Sequence, residues 1–366
     1  MKHYKIWLLL LSMIGSVQAQ EGSSPNRRQD YIRVMPLYQR WAQGKGTQVS
    51  QISIPVYMRL AFGRNLDVAL RGGQASVNGA SVQKLRGLTD MQMSLNYSYS
   101  RLILNLGVNV PSGKRELTYA EFLTTALLSL NHYNFQTPSF GQGLNVTSGL
   151  MWAFSVRENL SLGAGASYQY KGKFKPVAFI GDYNPGDEVL LTGGVDWRLG
   201  ETAKFSWDVI YTFYGTDKID SNQVFAAGNR LVMNAQFQQS FEHDQLLLFM
   251  RFLSRGKNSL AVGGALLPEN QKSAPDQIEF IAYYSHRFSP RFAAGGLLAG
   301  RFFTTPPIAT SLSSSGMAIG GLGVNPEVTL SPRLKIPAKL VYWLGRSRAG
   351  QDFTGLEIGL GMTVGL

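Results

Sequence analysis

Leu356-Glu357-Ile358-Gly359-Leu360-Gly361-Met362-Thr363-Val364-Gly365-Leu366 ends the chain. Every second residue is large and apolar, and those between are small or polar. A helix would scatter the apolar set around its axis, whereas a strand puts it all on one face. The same period recurs upstream. Met91, Met93, Leu95, Tyr97 and Tyr99 alternate with Gln92, Ser94, Asn96 and Ser98. Leu102 to Val110, Leu144 to Val156, Leu160 to Tyr170 and Phe205 to Phe213 repeat the pattern.

A soluble sandwich also has one apolar face per strand, so the connections must decide. Very short links occur at Gly63-Arg64, Ser100, Arg157-Glu158, Gly200-Glu201, Glu242 to Asp244, Ser289 to Arg291 and Ser331 to Arg333. Two of them, Phe288-Ser-Pro-Arg-Phe292 and Leu330-Ser-Pro-Arg-Leu334, are near copies. Between them lie long polar stretches near residues 77–89, 113–142, 172–186, 216–227, 256–275 and 303–316. Outer-membrane barrels show this asymmetry of periplasmic turns and outer loops. The pattern predicts an all-β, transmembrane antiparallel barrel of about sixteen strands, with fourteen as the fallback. The weakest strands are the first, near Tyr31 to Trp41, and Leu231 to Phe241, where Gln239 breaks the apolar parity. A barrel must close to leave no unpaired edge in lipid, so residues 20–366 form one domain. Aromatics cluster near strand ends, among them Tyr97, Trp152, Tyr168, Trp197, Tyr342 and Trp343, as interfacial belts require.

Residues 1–19 read as a secretory signal peptide: Lys2 and Lys5, an apolar run from Ile6 to Ile14, then Val17-Gln18-Ala19. The run is too short for a membrane-spanning helix, which needs about 20 apolar residues. The expected location is the bacterial outer membrane. Cysteine is absent, which fits export without a disulfide framework. The formal net charge is +12, two of it from Lys2 and Lys5. The basic residues are scattered singly and the leader exports the chain. The surplus therefore reads as lipid headgroup contact or solute steering, not as nucleic-acid binding. Membrane lipid is the first expected partner, and nothing sets the oligomeric state.

At residues 87–114 the chain resembles a known family. Gly87-Leu88-Thr89-Asp90 opens one strand, and the next reads Leu104-Asn-Leu-Gly107-Val-Asn-Val-Pro111-Ser-Gly113. This pair is similar to the outer-membrane proteins associated with meta-pathway phenol degradation. Those show a Gly-x-Gly-Asp opening and a Leu-Gly-x-x-x-Pro-Thr-Gly exit. Thr89 and Ser112 depart from that pattern. The family is related in fold to the long-chain fatty-acid transporters, and the resemblance implies a barrel that passes small apolar or aromatic molecules. By itself, proline ends the strand because it cannot donate to a ladder, and glycine allows the turn.

No enzyme site is legible. His243 lies in a short turn with Glu242 and Asp244, with no second histidine or cysteine nearby in sequence. His286 shares a face with Ile278, Phe280 and Tyr284, while Ser285 points the opposite way, so the two cannot pair. No nucleophile elbow, phosphate loop or cofactor motif occurs. The longest loop carries one helical signal. Thr118 and Glu121 have capping-box spacing, and Phe122, Leu123, Ala126, Leu127 and Leu130 follow at helical intervals. The greasy face Phe122, Leu123, Ala126 and Leu127 is the candidate substrate path. Arg71 and Arg251 join it as lumen-facing charges, within a set that also includes Asp67, Asp196, Arg198 and Asp208. The expected function is passive uptake of small hydrophobic or aromatic compounds. The alternative is an envelope assembly or secretion-system barrel that binds protein partners. A 113–142 loop inserted in the mouth favours uptake, and a splayed loop favours partner binding.

Overall fold

The computed structural model describes residues 30–44, 46–80, 82–114, 116–177, 181–304 and 316–366. The expected leader, residues 1–19, lies outside them. Sixteen antiparallel strands close into a barrel. The first strand is Tyr31–Val34 continued by Leu37–Gln43, and the last is Asp352–Leu360 continued by Met362–Gly365. These two pair with each other, Tyr31 opposite Gly365 and Gln43 opposite Phe353, so no edge remains. Pro36 has no N–H to give the ladder, and the first strand breaks there. The last strand breaks at the same level, where Leu360 N donates to Pro36 O (3.1 Å).

The quoted C-terminal stretch is oriented as its period requires. Ile358, Leu360 and Met362 face outward, while Phe353, Gly355, Glu357, Gly359 and Gly361 are buried inside. Around the barrel the outward residues are predominantly large and apolar, Leu322 (70% exposed) and Leu298 (53%) being examples. Such a band is stable only against lipid, so the chain is a transmembrane β-barrel of the bacterial outer membrane. A lysine at Leu298, in mid-strand, should cost roughly 2–4 kcal/mol. A lysine at the inward Gln236 should cost much less. Folded fractions read by heat-modifiable migration in gels check the pair, and equal yields would refute this assignment of faces.

The strand at Arg230–Ser240 forms in spite of Gln239. The twin Ser-Pro-Arg turns share one chemistry: Ser289 Oγ accepts from Arg291 N and Phe292 N, and Ser331 Oγ accepts from Arg333 N. Three features differ from the sequence reading. Two outer connections, after Gln43 and after Ser347, are short, and Gly44 (φ 55°) and Gly350 (φ 81°) there take left-handed backbone. Three outer loops are not irregular but build a separate five-stranded sheet, from Tyr183–Asn184, Thr216–Ile219, Asn222–Ala226, Ser259–Val262 and Ala265–Pro268. Trp343 is not an interfacial residue; it points inward and is buried, as is Trp41. Inside the barrel each indole lies over a glycine, Trp41 over Gly355 and Trp343 over Gly321, where any Cβ would meet the ring.

Candidate functional site

The loop that follows Leu102–Val110 folds back into the barrel, and its construction starts at Asp90. One carboxylate oxygen accepts from Gly113 N (2.9 Å); the other accepts from Gln142 N and Asn109 Nδ2 (both 2.8 Å). Asp90 thereby ties together the two ends of the loop. Ser112 Oγ accepts from Met91 N (2.8 Å). Gly113 must be glycine because the Phe140 carbonyl occupies the space of a Cβ. Asp90, Ser112 and Gly113 are thus the clamp at the base of this loop.

The helix α1 spans Tyr119–Leu128. Its capping box is complete: Thr118 Oγ1 accepts from Glu121 N, and Glu121 accepts from Thr118 N (3.1 Å). Lys114 pairs with Glu121 (2.6 Å), and that partner together with the cap bonds holds the Glu121 carboxyl below its ordinary range against the opposing effect of burial. The buried face of α1 is Thr124, Thr125 and Leu128. Thr124 can bury because its hydroxyl bonds both backbone groups of Gln83 in the neighbouring outer loop. Phe122, Leu123 and Ala126 are exposed, and Leu127 is half-buried against the packed interior.

Beyond α1, residues 132–137 descend along the inner wall. Gln51 makes a two-point bond to Thr137, donating to its carbonyl (2.7 Å) and accepting from its N–H (2.9 Å). Gln39 does the same with two residues: it donates to Asn134 O (3.2 Å) and accepts from Gln136 N (2.6 Å). Asn134 takes the left-handed conformation (φ 51°) that asparagine tolerates. Tyr133 Oη donates to Gln43 (2.7 Å). Arg301 Nη1 donates to His132 O (2.9 Å), and its guanidinium lies 4.2 Å from the Trp343 ring centre and 5.6 Å from that of Trp41. His132, Tyr133, Phe135 and Phe140 are all buried among Trp41, Phe303, Trp343 and Phe353. Burial first, and then the neighbouring Arg301 charge, pulls the His132 imidazole down to about 4. Burial pushes the Tyr133 phenol up to about 12.

Arg71 and Arg251 do not join this site. Arg71 lies opposite Tyr57 on the third strand; Arg251 lies half-way round the barrel, bonded to Asn234 (3.1 Å) and paired with Glu279 (3.8 Å). Among the other lumenal charges, Asp67 pairs with Arg59 (3.3 Å) and Asp196 with Lys204 (3.1 Å). His286 bonds Asp244 (2.7 Å), and no group of three or more metal-ligating side chains occurs among the described residues. Sequence reasoning missed Gln39, Gln51, His132 and Arg301; it singled out Asp90 but not its role as the tie between the two ends of the loop. The available signal was the glutamines at inward parity on the first two strands, set among an inward Trp41 and Val49.

No family model matches the chain, and no curated protein matches it. Solved structures that resemble it include the channel OpdL of Pseudomonas aeruginosa, at 14% identity and a TM-score of 0.46, covering 92% of this chain and 99% of that one. The outer-membrane channel DcaP of Acinetobacter baumannii gives 9% identity and 0.48, over 92% and 96%. The monoaromatic hydrocarbon channel CymD gives 11% and 0.45, over 92% and 89%. At these values the likeness adds nothing to what strand pairing establishes.

Proposed function

We propose that this barrel passively admits small apolar or aromatic solutes from the outside, past the inserted 111–144 loop. The observation that carries the reading is the segment 132–137, bonded to the lumenal wall at Gln39, Gln51 and Arg301. A loop fixed in that position narrows the lumen and turns a water-filled pore into a selective one. It leaves Phe122 and Leu123, the latter 50% exposed, as apolar surface on the outer side. The resemblance of residues 87–114 to the phenol-pathway barrels supports aromatic solutes, and those residues form the base of the same loop. A partner-binding barrel would present its longest loop outward, which the bonds to Gln39 and Gln51 oppose.

Phe122 and Leu123 test the reading without disturbing the buried face of α1. A fully buried side chain of this size contributes about 1.5–3 kcal/mol. Contact with a passing solute buries only part of each. The double change of Phe122 and Leu123 to Ser should slow uptake of benzyl alcohol into proteoliposomes roughly fivefold, with about 1.4 kcal/mol equivalent to tenfold. Small-ion conductance should stay level. Unchanged benzyl alcohol uptake in the folded variant would remove this face from the path.

A further inference from the structure

We propose that the outer rim of the lumen around Arg230, Arg255 and Tyr214 binds the carboxylate of a small organic anion. The inference deepens the uptake reading by naming the charge that the solute carries. The rim in question is built by the strands Leu160–Lys171, Glu188–Leu199, Ala203–Tyr214, Arg230–Ser240 and Asp244–Arg255.

Pairing register sets the cluster. Arg230 stands directly opposite Arg255, and Thr212 opposite Arg230, while Glu188 stands opposite Tyr214. Parity turns all of these inward, because Val189, Leu191 and Phe213 between them face outward. The Tyr214 ring has Arg255 at 5.5 Å, Arg230 at 5.8 Å and Lys171 Nζ at 6.0 Å from its centre. Three cations thus meet around one phenol, and one carboxylate, Glu188, is bound to Lys171.

Like charges directly opposite on neighbouring strands destabilise a sheet. The protein could relieve Arg230 and Arg255 with nearby acids, yet each such acid is engaged elsewhere. Asp187 accepts from Tyr168 Oη and Lys171 N, and Asp217 from Tyr183 Oη and Gly186 N. Asp276 pairs with Lys272, and Glu269 accepts from Asn258 N and Ser273 N. One wall further in, Arg251 does have its carboxylate, Glu279. Among the described residues, the ion pairs of this wall leave Arg230 and Arg255 without a carboxylate. The Nε–H of Arg230 is buried with no acceptor, as is the Thr212 hydroxyl beside it.

A bound organic anion would answer both the repulsion and the two unpartnered donors, Arg230 Nε and Thr212 Oγ1. Guanidinium forks match a carboxylate bidentately and also stack on aromatic planes, so an aromatic carboxylate satisfies both properties. The site lies where solute would first meet the lumen. Beyond Tyr214, Arg230 and Arg255 the chain passes directly into the separate outer sheet at Thr216–Ile219, Asn222–Ala226 and Ser259–Val262.

The test uses benzoate, its neutral analogue benzamide, and inorganic phosphate on the full chain in planar bilayers and proteoliposomes. Millimolar benzoate should interrupt the wild-type ion current, and benzamide and phosphate should do so at least fivefold more weakly. The double variant Arg230→Gln, Arg255→Gln should lose the benzoate effect and move the reversal potential toward cation preference. Arg230→Lys with Arg255→Lys keeps both charges, so it should keep the reversal potential while weakening benzoate. The wild-type measurement needs no variant: no interruption by benzoate overturns the site, and equal potency of phosphate overturns its assignment to an organic carboxylate. A glutamine variant that folds and still responds to benzoate overturns the residues named. If benzoate interrupts the current through Arg230 and Arg255 but neither benzoate nor benzamide enters proteoliposomes, the site stands and the uptake reading fails.

Discussion

Changing Gln39 and Gln51 together to Leu should release the inserted segment and raise small-ion conductance several-fold. The two amides stand in for a neighbouring strand. Between them they satisfy the carbonyls of Asn134 and Thr137 and the N–H groups of Gln136 and Thr137. Gln51 is 0% exposed, so water cannot replace it while the segment is in place. Each buried backbone group left without a partner costs about 1–3 kcal/mol. Leucine is close to glutamine in size, so packing against Trp41 and Val49 changes little and the lost partners dominate. The two Thr137 groups are buried and, even at the low end, sum to roughly 2 kcal/mol, about thirtyfold in the released population; the two groups bonded by Gln39 are part-buried and add less. Arg301 remains and opposes release, which limits the gain. The barrel itself should survive, since both residues sit on strands whose ladders are untouched. Wild-type conductance from a folded double variant would show that the segment is held by other means.

These glutamines explain what could and could not be read from the chain. Period two needs only neighbours in sequence, so the strands, the short turns and the outward faces were legible. So was α1, because a capping box spans only four residues. The buried face of α1 was not: Thr124 and Thr125 bury by hydroxyl bonds to Ala120 O, Phe122 O and Gln83, and apolar spacing does not report such bonds. The inserted segment is harder still. Gln39 meets Asn134 from 95 residues away, and Arg301 meets His132 from 169. Nothing local marks either contact. The same insertion explains Trp343. Val341 and Trp343 are apolar on the inward face because loop aromatics cover them, and Tyr342 and Leu344 are apolar on the outward face because lipid does. With both parities apolar, alternation loses its power to tell inside from outside.

Acid should open the same segment. In the inserted state the His132 imidazole is held down to about 4, and once released into water it returns to about 6.5. Between these values the released state binds a proton that the inserted state refuses, so insertion is fully favoured above about 6.5 and weakens as pH falls. The difference amounts to roughly 3 kcal/mol by pH 4, at about 1.4 kcal/mol per unit. That corresponds to a shift of about two orders of magnitude between inserted and released populations. The surroundings enforce the direction. Tyr133, Phe303 and Phe353 give His132 aromatic faces, its Nε2 has no partner, and the charge nearest to it is the like-signed Arg301. Tyr133 stays neutral throughout, its phenol being pushed the other way. Conductance of the wild-type protein should therefore rise as pH is lowered from 6.5 to 4. His132→Phe fits the aromatic cluster and cannot take up the proton, while its backbone carbonyl still accepts from Arg301. That variant should keep a low, flat conductance across the same window. A rise of equal size in both proteins would assign the acid response to lumenal carboxylates instead of His132.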